Sequence, residues 1–393
     1  MNTYIFVNSL RYDKLKYHKF KQDNDRFVLI TEEERVINFP EKHKYIIDKF
    51  ITIDPETSLI EIIDKAVFEE ISNNGGNVFL CTADELFVLE CAQIRSKYNL
   101  YGEKQLDCFR NKKIMKDLLQ GYGILPKYKL FDYFIPEKGY PFILKPIQGL
   151  GGIETYKINT PAEFLHIVSQ LKINENYLLE EYVDGTLFHC DSFIKNGEVV
   201  FSGICRCIGN GISLAKDGKY ASIVVNSSFP LYKDILSFNN AVISRLPLQN
   251  GVTHCEFFIT PDNKIVFVEI AARPPGGEIC GLYELTYGVN LLELSMLADM
   301  NRVDNLSISI NNKYQHAGFA YIGKKTGTIS KINLPKFKAE YQNIEVKVKQ
   351  GQQYTGSIAS YDRAISIILA DNDSRLVDTV FDNFDWGSFI KWE

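Results

Sequence analysis

The first hundred residues alternate short apolar runs with longer segments whose apolar positions recur every three to four residues. YIFV at 4 to 7, RFVLI at 26 to 30 and NVFLC at 77 to 81 read as buried strands. Helical patterns run near 58 to 72, closed by NNGG, and near 84 to 98. Strands separated by helices predict a parallel sheet of βαβ units. No GxGxxG follows the first strand, so this lobe has no dinucleotide signature of its own.

The pattern then changes. A helix is predicted over 104 to 120 (KQLDCFRNKKIMKDLLQ), ending at Gly121 and Gly123. After it come strand-like stretches at 125 to 131, 141 to 146, 153 to 158, 177 to 183, 187 to 195 and 198 to 207, interrupted by a helix at 161 to 171. A helix near 232 to 246 precedes a hairpin at 252 to 271, and a helix at 282 to 299 closes the region. Beyond about 306 strands and turns alternate, with a helix near 374 to 383. The reading is an α/β lobe over 1–103, an α+β region of mainly antiparallel strands over 104–305, and a small strand-rich lobe over 306–393.

Bulk properties narrow the function. A chain of 393 residues has length for two or three lobes. A net charge of -5 argues against a nucleic-acid partner. No apolar stretch approaches the roughly 18 residues that cross a bilayer, and MNTYIFVNSLRYDK lacks the layout of a signal peptide, so a cytoplasmic protein is expected. Eight cysteines without a CxxC pair and six scattered histidines suggest packed thiols rather than a zinc site or a disulfide frame.

Candidate chemistry begins in the 252 to 271 hairpin. A two-residue loop centred on Asp262 and Asn263 sets Glu256 directly opposite Glu269. His254, Glu256 and Phe258 then share a face with Phe267, Glu269 and Ala271. Opposed carboxylates repel unless a cation lies between them, and magnesium, with its taste for one or two carboxylates plus phosphate oxygens, suits the pair. Upstream, YPFILKPIQGLGGIETYKI puts Lys145 in an apolar strand just before a proline that keeps it extended. Gly149, Gly151 and Gly152 follow as a flexible loop whose amides could cover phosphates, without the GK[ST] of a P-loop. RNKKIMK supplies Lys112, and NYLLEEYVDGTLFHCDSF supplies Glu180, Glu181 and an extended stretch able to face a flat base.

Lys112 in RNKxxM, Lys145 in FILKP with its glycine loop, EEYVDG, the Glu256 hairpin and EIAARPPGG occur in the order and spacing of the ATP-grasp superfamily. Over roughly 104 to 300 the chain resembles that superfamily's carboxylate–amine ligase branch, close to the L-amino acid ligases, and its flanking lobes look like the family's N- and C-terminal lobes. The resemblance implies a three-lobe ATP-grasp fold and ATP with one or two Mg²⁺, or Mn²⁺ in their place. Lys112 and Lys145 would contact the phosphates, Glu180 with the backbone of Glu181 and Val183 would hold adenine, and the glycine loop would be a lid. Glu256 and Glu269 would bind metal, while Arg273 would sit on the transferring phosphoryl group and on the acyl phosphate it creates. Gly276 and Gly277 would present amides to a substrate carboxylate.

Two departures stand out. Ala271 replaces the usual asparagine ligand, and Leu187 the usual ribose-binding glutamate, for which His189 and Asp191 are the candidate substitutes. The activity implied joins a small-molecule carboxylate to an amine, with ADP and phosphate released and Lys145 and Arg273 as the catalytic cations. A thiol or other acceptor, a non-catalytic ATP-binding module, and a homodimer stay open.

Overall fold

The computed structural model describes residues 1–9, 14–74, 76–131, 139–171, 176–209, 218–357, 362–383 and 386–393. The first lobe is the expected parallel sheet. Asn2–Val7 lies between Asp25–Glu32 and Val78–Cys81, and a fourth strand, Lys49–Ile53, borders Asp25–Glu32. That edge strand escaped the sequence reading because its residues, KFITI, are only half covered and form no buried run. Ile63, Ala66 and Val67 of the helix Leu59–Asn74 and Cys91 and Ile94 of the helix Val88–Lys97 pack on Ile5, Val7, Val28 and Ile30.

The helix predicted over 104 to 120 is shorter. A 3-10 turn, Asp107–Phe109, leads into Lys112–Leu118, because the Asn111 side chain accepts from the amides of Lys113 (3.0 Å) and Ile114 (3.2 Å) and starts the helix there. A small antiparallel sheet follows, ordered Tyr128–Leu130, Tyr177–Glu181, Phe142–Pro146, Tyr156–Ile158. The helix Pro161–Gln170 backs it through Phe164, which packs on Phe131, Phe142 and Leu144.

The largest sheet has eight strands. Its order is Ile265–Ala271, Gly251–Ile259, Thr186–Lys195, Glu198–Ile208, Lys219–Val225, His316–Gly323, Arg363–Asp371 and Tyr341–Val346. Lys219–Val225, absent from the sequence reading, joins Glu198–Ile208 to His316–Gly323, so the strands before and after residue 306 form one continuous sheet. One face is covered by the helix Tyr232–Ile243 through Ile235, Phe238 and Val242. The other is covered by Ile279–Tyr287 and Leu291–Asp299. The single helix expected over 282 to 299 is thus two, broken by Gly288 at φ 70° and restarted by Asn290, which caps the amides of Leu292 and Glu293. The helix expected over 374 to 383 is a 3-10 turn, Ser374–Leu376, and a short helix, Asp378–Asp382.

Charge lines the seam between the first lobe and the rest. Lys16 meets Glu284 at 3.2 Å, Lys19 meets Glu293 at 2.6 Å, Asp25 meets Arg302 at 2.7 Å and Arg95 meets Asp299 at 2.8 Å. Seven cysteines are buried, Cys280 is half-buried, and all eight are free thiols. Among the described residues no helix is long and apolar enough to cross a membrane.

Candidate active site

Glu256 and Glu269 do face each other, by a different route from the one expected. The loop holds three residues rather than two: the Thr260 amide donates to the Lys264 carbonyl at 3.0 Å and Asn263 takes φ 62°. Near the loop the ladder therefore runs Ile259↔Ile265, Phe258↔Val266, Phe257↔Phe267. A bulge at Val268 then adds one residue and restores Glu256↔Glu269 and His254↔Ala271. Because of the bulge Phe267 does not share the glutamates' face as expected; it packs with Phe257 in the core on the other side.

The two carboxylates do not confront each other bare. The Lys112 ammonium is 3.1 Å from Glu269 and donates to the Gly149 carbonyl at 3.1 Å, so it ties the strand Ile265–Ala271 to the glycine loop. Burial pushes the Glu269 carboxyl up, but Lys112, Lys145 and Arg273 outweigh it and bring its pKa down to about 2. Lys145 lies 3.0 Å from Glu180. Lys116, one turn beyond Lys112 on the same helix face, lies 3.3 Å from Glu180 and donates to the Val268 carbonyl at 3.1 Å, which the bulge frees. Full burial lowers the Lys116 ammonium to about 8 against the pull of Glu180. Sequence reasoning missed Lys116, although KKIMK carried its four-residue spacing.

Arg273 leaves the strand end and is met from the first lobe. Its Nε donates to Glu85 at 2.6 Å and one terminal nitrogen to the Pro274 carbonyl at 2.9 Å. The other Glu85 oxygen accepts from Arg110. Glu85 is only 9 % exposed, and burial, which alone would raise its carboxyl, is overcome by the two arginines. No local motif announces Glu85; its role depends on a contact 188 residues away in sequence. Gly277 takes φ 62°, and a Cβ there would stand 2.9 Å from the Phe319 ring, so the loop after Arg273 lies close on that ring.

His189 is directly opposite Glu256 on the neighbouring strand, yet its ring points into a buried network. Its Nδ1 bonds Asp191 at 2.7 Å and its Nε2 bonds Ser222 at 3.0 Å, leaving no nitrogen for a ribose hydroxyl. Asp191, fully buried, also bonds His254 Nδ1 at 2.5 Å and the Tyr283 hydroxyl at 2.6 Å, and His254 Nε2 reaches Glu256 at 3.2 Å. Burial pulls both imidazoles down in pKa, but the Asp191 carboxylate raises both overall. His189 and Asp191, the candidates for the ribose, are thus engaged in this network, which reaches Glu256 through His254.

The remaining expected residues divide. Glu180 is buried among lysines, Val183 is half-buried beyond the strand, and the Glu181 amide is already taken by the Lys127 carbonyl at 2.8 Å. Gly151 and Gly152 take φ 61° and 77° on an exposed loop, Gly149 packs near Pro146, and Gly276 has open space beside it.

With this geometry, residues 138–281 match the pattern of the ATP-grasp domain, and the chain has the ATP-grasp fold. Among individual proteins it is 26% identical over 351 residues to an L-arginine-specific L-amino acid ligase of Bacillus subtilis, covering 84% of this chain and 82% of the relative. Its structure is similar to a crystal structure of an L-amino acid ligase from Bacillus licheniformis, with a TM-score of 0.77 at 15% identity, over 100% of this chain and 99% of that one. It is also similar to phosphoribosylglycinamide synthetase from Anaerococcus prevotii, with a TM-score of 0.64 at 16% identity and 100% of both chains covered.

Proposed function

We propose that the chain is an ATP-dependent ligase that activates a small carboxylate as an acyl phosphate and joins it to an amine. The observation that carries this is the convergence of Lys112, Lys145, Glu256, Glu269 and Arg273 around one strand end, with Lys112 already bonded to the glycine loop. The facing carboxylates of Glu256 and Glu269 suit a hard divalent cation, and Lys112 supplies the countercharge between strand and loop in the structure. They would hold magnesium, or manganese in its place; bound there, it supplies positive charge to the phosphate oxygens.

The reaction needs no side-chain nucleophile. A substrate carboxylate oxygen attacks the γ-phosphorus, the bond to ADP breaks, and an acyl phosphate forms. The amine then attacks the carbonyl carbon, the C–O bond to phosphate breaks, and a proton leaves the nitrogen. Lys145 and Lys112 neutralise the phosphates, and Arg273, aimed by Glu85, receives the charge that moves to the new acyl phosphate. Gly276 and Gly277 offer backbone amides to the carboxylate. Glu180, Glu181 and Val183 form the adenine side; no residue is assigned to the ribose.

The test is ATP-dependent phosphate release with pairs of amino acids, arginine first because of the relative named for it, with mass spectrometry of the products. Hydroxylamine as a surrogate amine traps the acyl phosphate as a hydroxamate. ATP binding with neither phosphate release nor hydroxamate from any amino acid would return the chain to a non-catalytic ATP-binding module.

A further inference from the structure

Arg363 is a buried guanidinium with a donor to spare. Its residue is 7 % exposed and its Nε is buried without a hydrogen-bond partner. The guanidinium lies over the Tyr321 ring at 4.1 Å, and one terminal nitrogen donates to Glu278 at 2.9 Å, with the more exposed Glu345 at 3.6 Å. An unpaired buried donor on a charged group is costly and calls for a cause.

Its position gives one. Glu278 immediately follows Gly277 and stands five residues after Arg273, so the chain between them spans at most about 17 Å. The Tyr321 hydroxyl is 3.2 Å from where a Gly277 Cβ would sit, and it bonds Glu278 at 3.1 Å. Tyr321 is paired across the sheet with Tyr220, their rings 6.4 Å apart. Glu256 is opposite His189, which bonds Ser222 at 3.0 Å, and Ser222 stands two residues from Tyr220 on the same face of its strand. A continuous wall thus runs from the metal-side carboxylate through Tyr220 and Tyr321 to Arg363.

Glu278 is also equipped to let go. Lys14 meets it at 3.2 Å and Tyr321 donates to it, so it keeps two partners if Arg363 turns to another anion. The Nε and the terminal nitrogen now on Glu278 are donors of one planar guanidinium, which matches a carboxylate bidentately.

We propose that Arg363 binds the free carboxylate of the amine substrate, making that substrate an amino acid or a short peptide rather than a simple amine. The inference rests on the ligase reading. An amino-acid acceptor must turn its nitrogen to the acyl phosphate and its own carboxylate away from it, and Arg363 at the far end of the wall fixes that polarity.

The experiment uses the full chain, with donors first chosen by hydroxamate formation from ATP and hydroxylamine, which carries no carboxylate. Each donor is then paired with an acceptor amino acid and with the same acid as its primary amide. The free acid should have a KM about 10- to 100-fold below the amide, the range expected for losing a charge-assisted pair. Arg363→Gln should compress that ratio towards one, and Arg363→Lys should recover part of it. The wild-type comparison stands even if a variant does not fold. Hydroxamate formation with equal KM values for acid and amide overturns the Arg363 assignment alone; no hydroxamate from any donor overturns the ligase reading on which it rests.

Discussion

At the scale of residues, the site is a set of compensated charges. In the sequence, Glu256 and Glu269 read as two repelling carboxylates awaiting a metal; in the structure Lys112 already stands on Glu269. The consequence reverses in sign. Glu269→Gln leaves the Lys112 ammonium, 8 % exposed, without its anion, a loss of about 1–3 kcal/mol. The variant should lose turnover and also melt a few degrees lower without nucleotide. The Glu269 carboxyl sits at about 2, below the roughly 4.3 of an unfolded chain. Its stabilisation is therefore complete above about pH 4.3 and is lost as pH falls toward 2, so the melting deficit should shrink on acidification from about pH 5. A deficit that stays constant over that range would contradict the pairing. Lys116 behaves oppositely. Its ammonium is lowered to about 8 from an unfolded value near 10.4, so it costs stability below pH 8 and the cost is relieved as pH rises from about 8 to about 10.4. Compared with Lys116→Met, the wild type should gain melting temperature across that interval. Arg273→Lys keeps the charge but not the separate donors that reach Glu85 and the Pro274 carbonyl, and should lower kcat about 30- to 150-fold while nucleotide affinity moves less than about threefold. Steady-state kinetics beside calorimetric titration separates the two. Of these residues Lys112, Lys145, Glu256, Glu269 and Arg273 were legible because each sits in a local motif. Glu85 was not, since it meets Arg273 only through a contact between distant segments, and Arg363 meets Glu278 in the same way.

At the scale of elements, sequence period identified most strands and helices but not how they end. The helix before Phe142–Pro146 starts later than its sequence pattern predicts, because apolar positions continue on both sides of Asn111 and only the side-chain cap marks the start. Gly288 ends a helix that the pattern alone continues, because apolar residues flank it on both sides. The hairpin is the instructive case: a wrong loop length and an unseen bulge cancelled, and the correct pair of glutamates emerged. A pairing argument from loop length alone is therefore sound only to the first bulge. The glycine loop is tied to the strand Ile265–Ala271 by Lys112, which bonds the Gly149 carbonyl and pairs with Glu269, while Gly151 and Gly152 stay exposed. Peptides covering 148 to 154 should exchange amide hydrogens rapidly in the free protein and slow strongly with Mg·ATP analogue. Unchanged exchange at saturation would remove the lid from the mechanism.

At the scale of the whole molecule, the expected boundary near 306 does not separate two sheets, because Lys219–Val225 joins both sides through its pairing with His316–Gly323. Removing residues 306–393 would strip that strand of its neighbour and expose a row of unpaired backbone groups, and the shortened chain should aggregate rather than fold. Its recovery as a soluble monomer with a sharp melting transition would contradict this. The boundary near 103 is of another kind. Across it the contacts named above are lysines 14, 16 and 19 and Arg95 on one side and Glu278, Glu284, Glu293 and Asp299 on the other, with Asp25 and Arg302 reversed. Three of the lysines keep about two fifths of their side chains in solvent, so small ions compete for the same partners. The join is in part a dial read by the surrounding electrolyte: salt loosens the exposed lysine pairs, while Leu292, Met296 and Met300, packed on Tyr4, Phe6 and Tyr17, hold the first lobe, and Glu85 with it, beside Arg273.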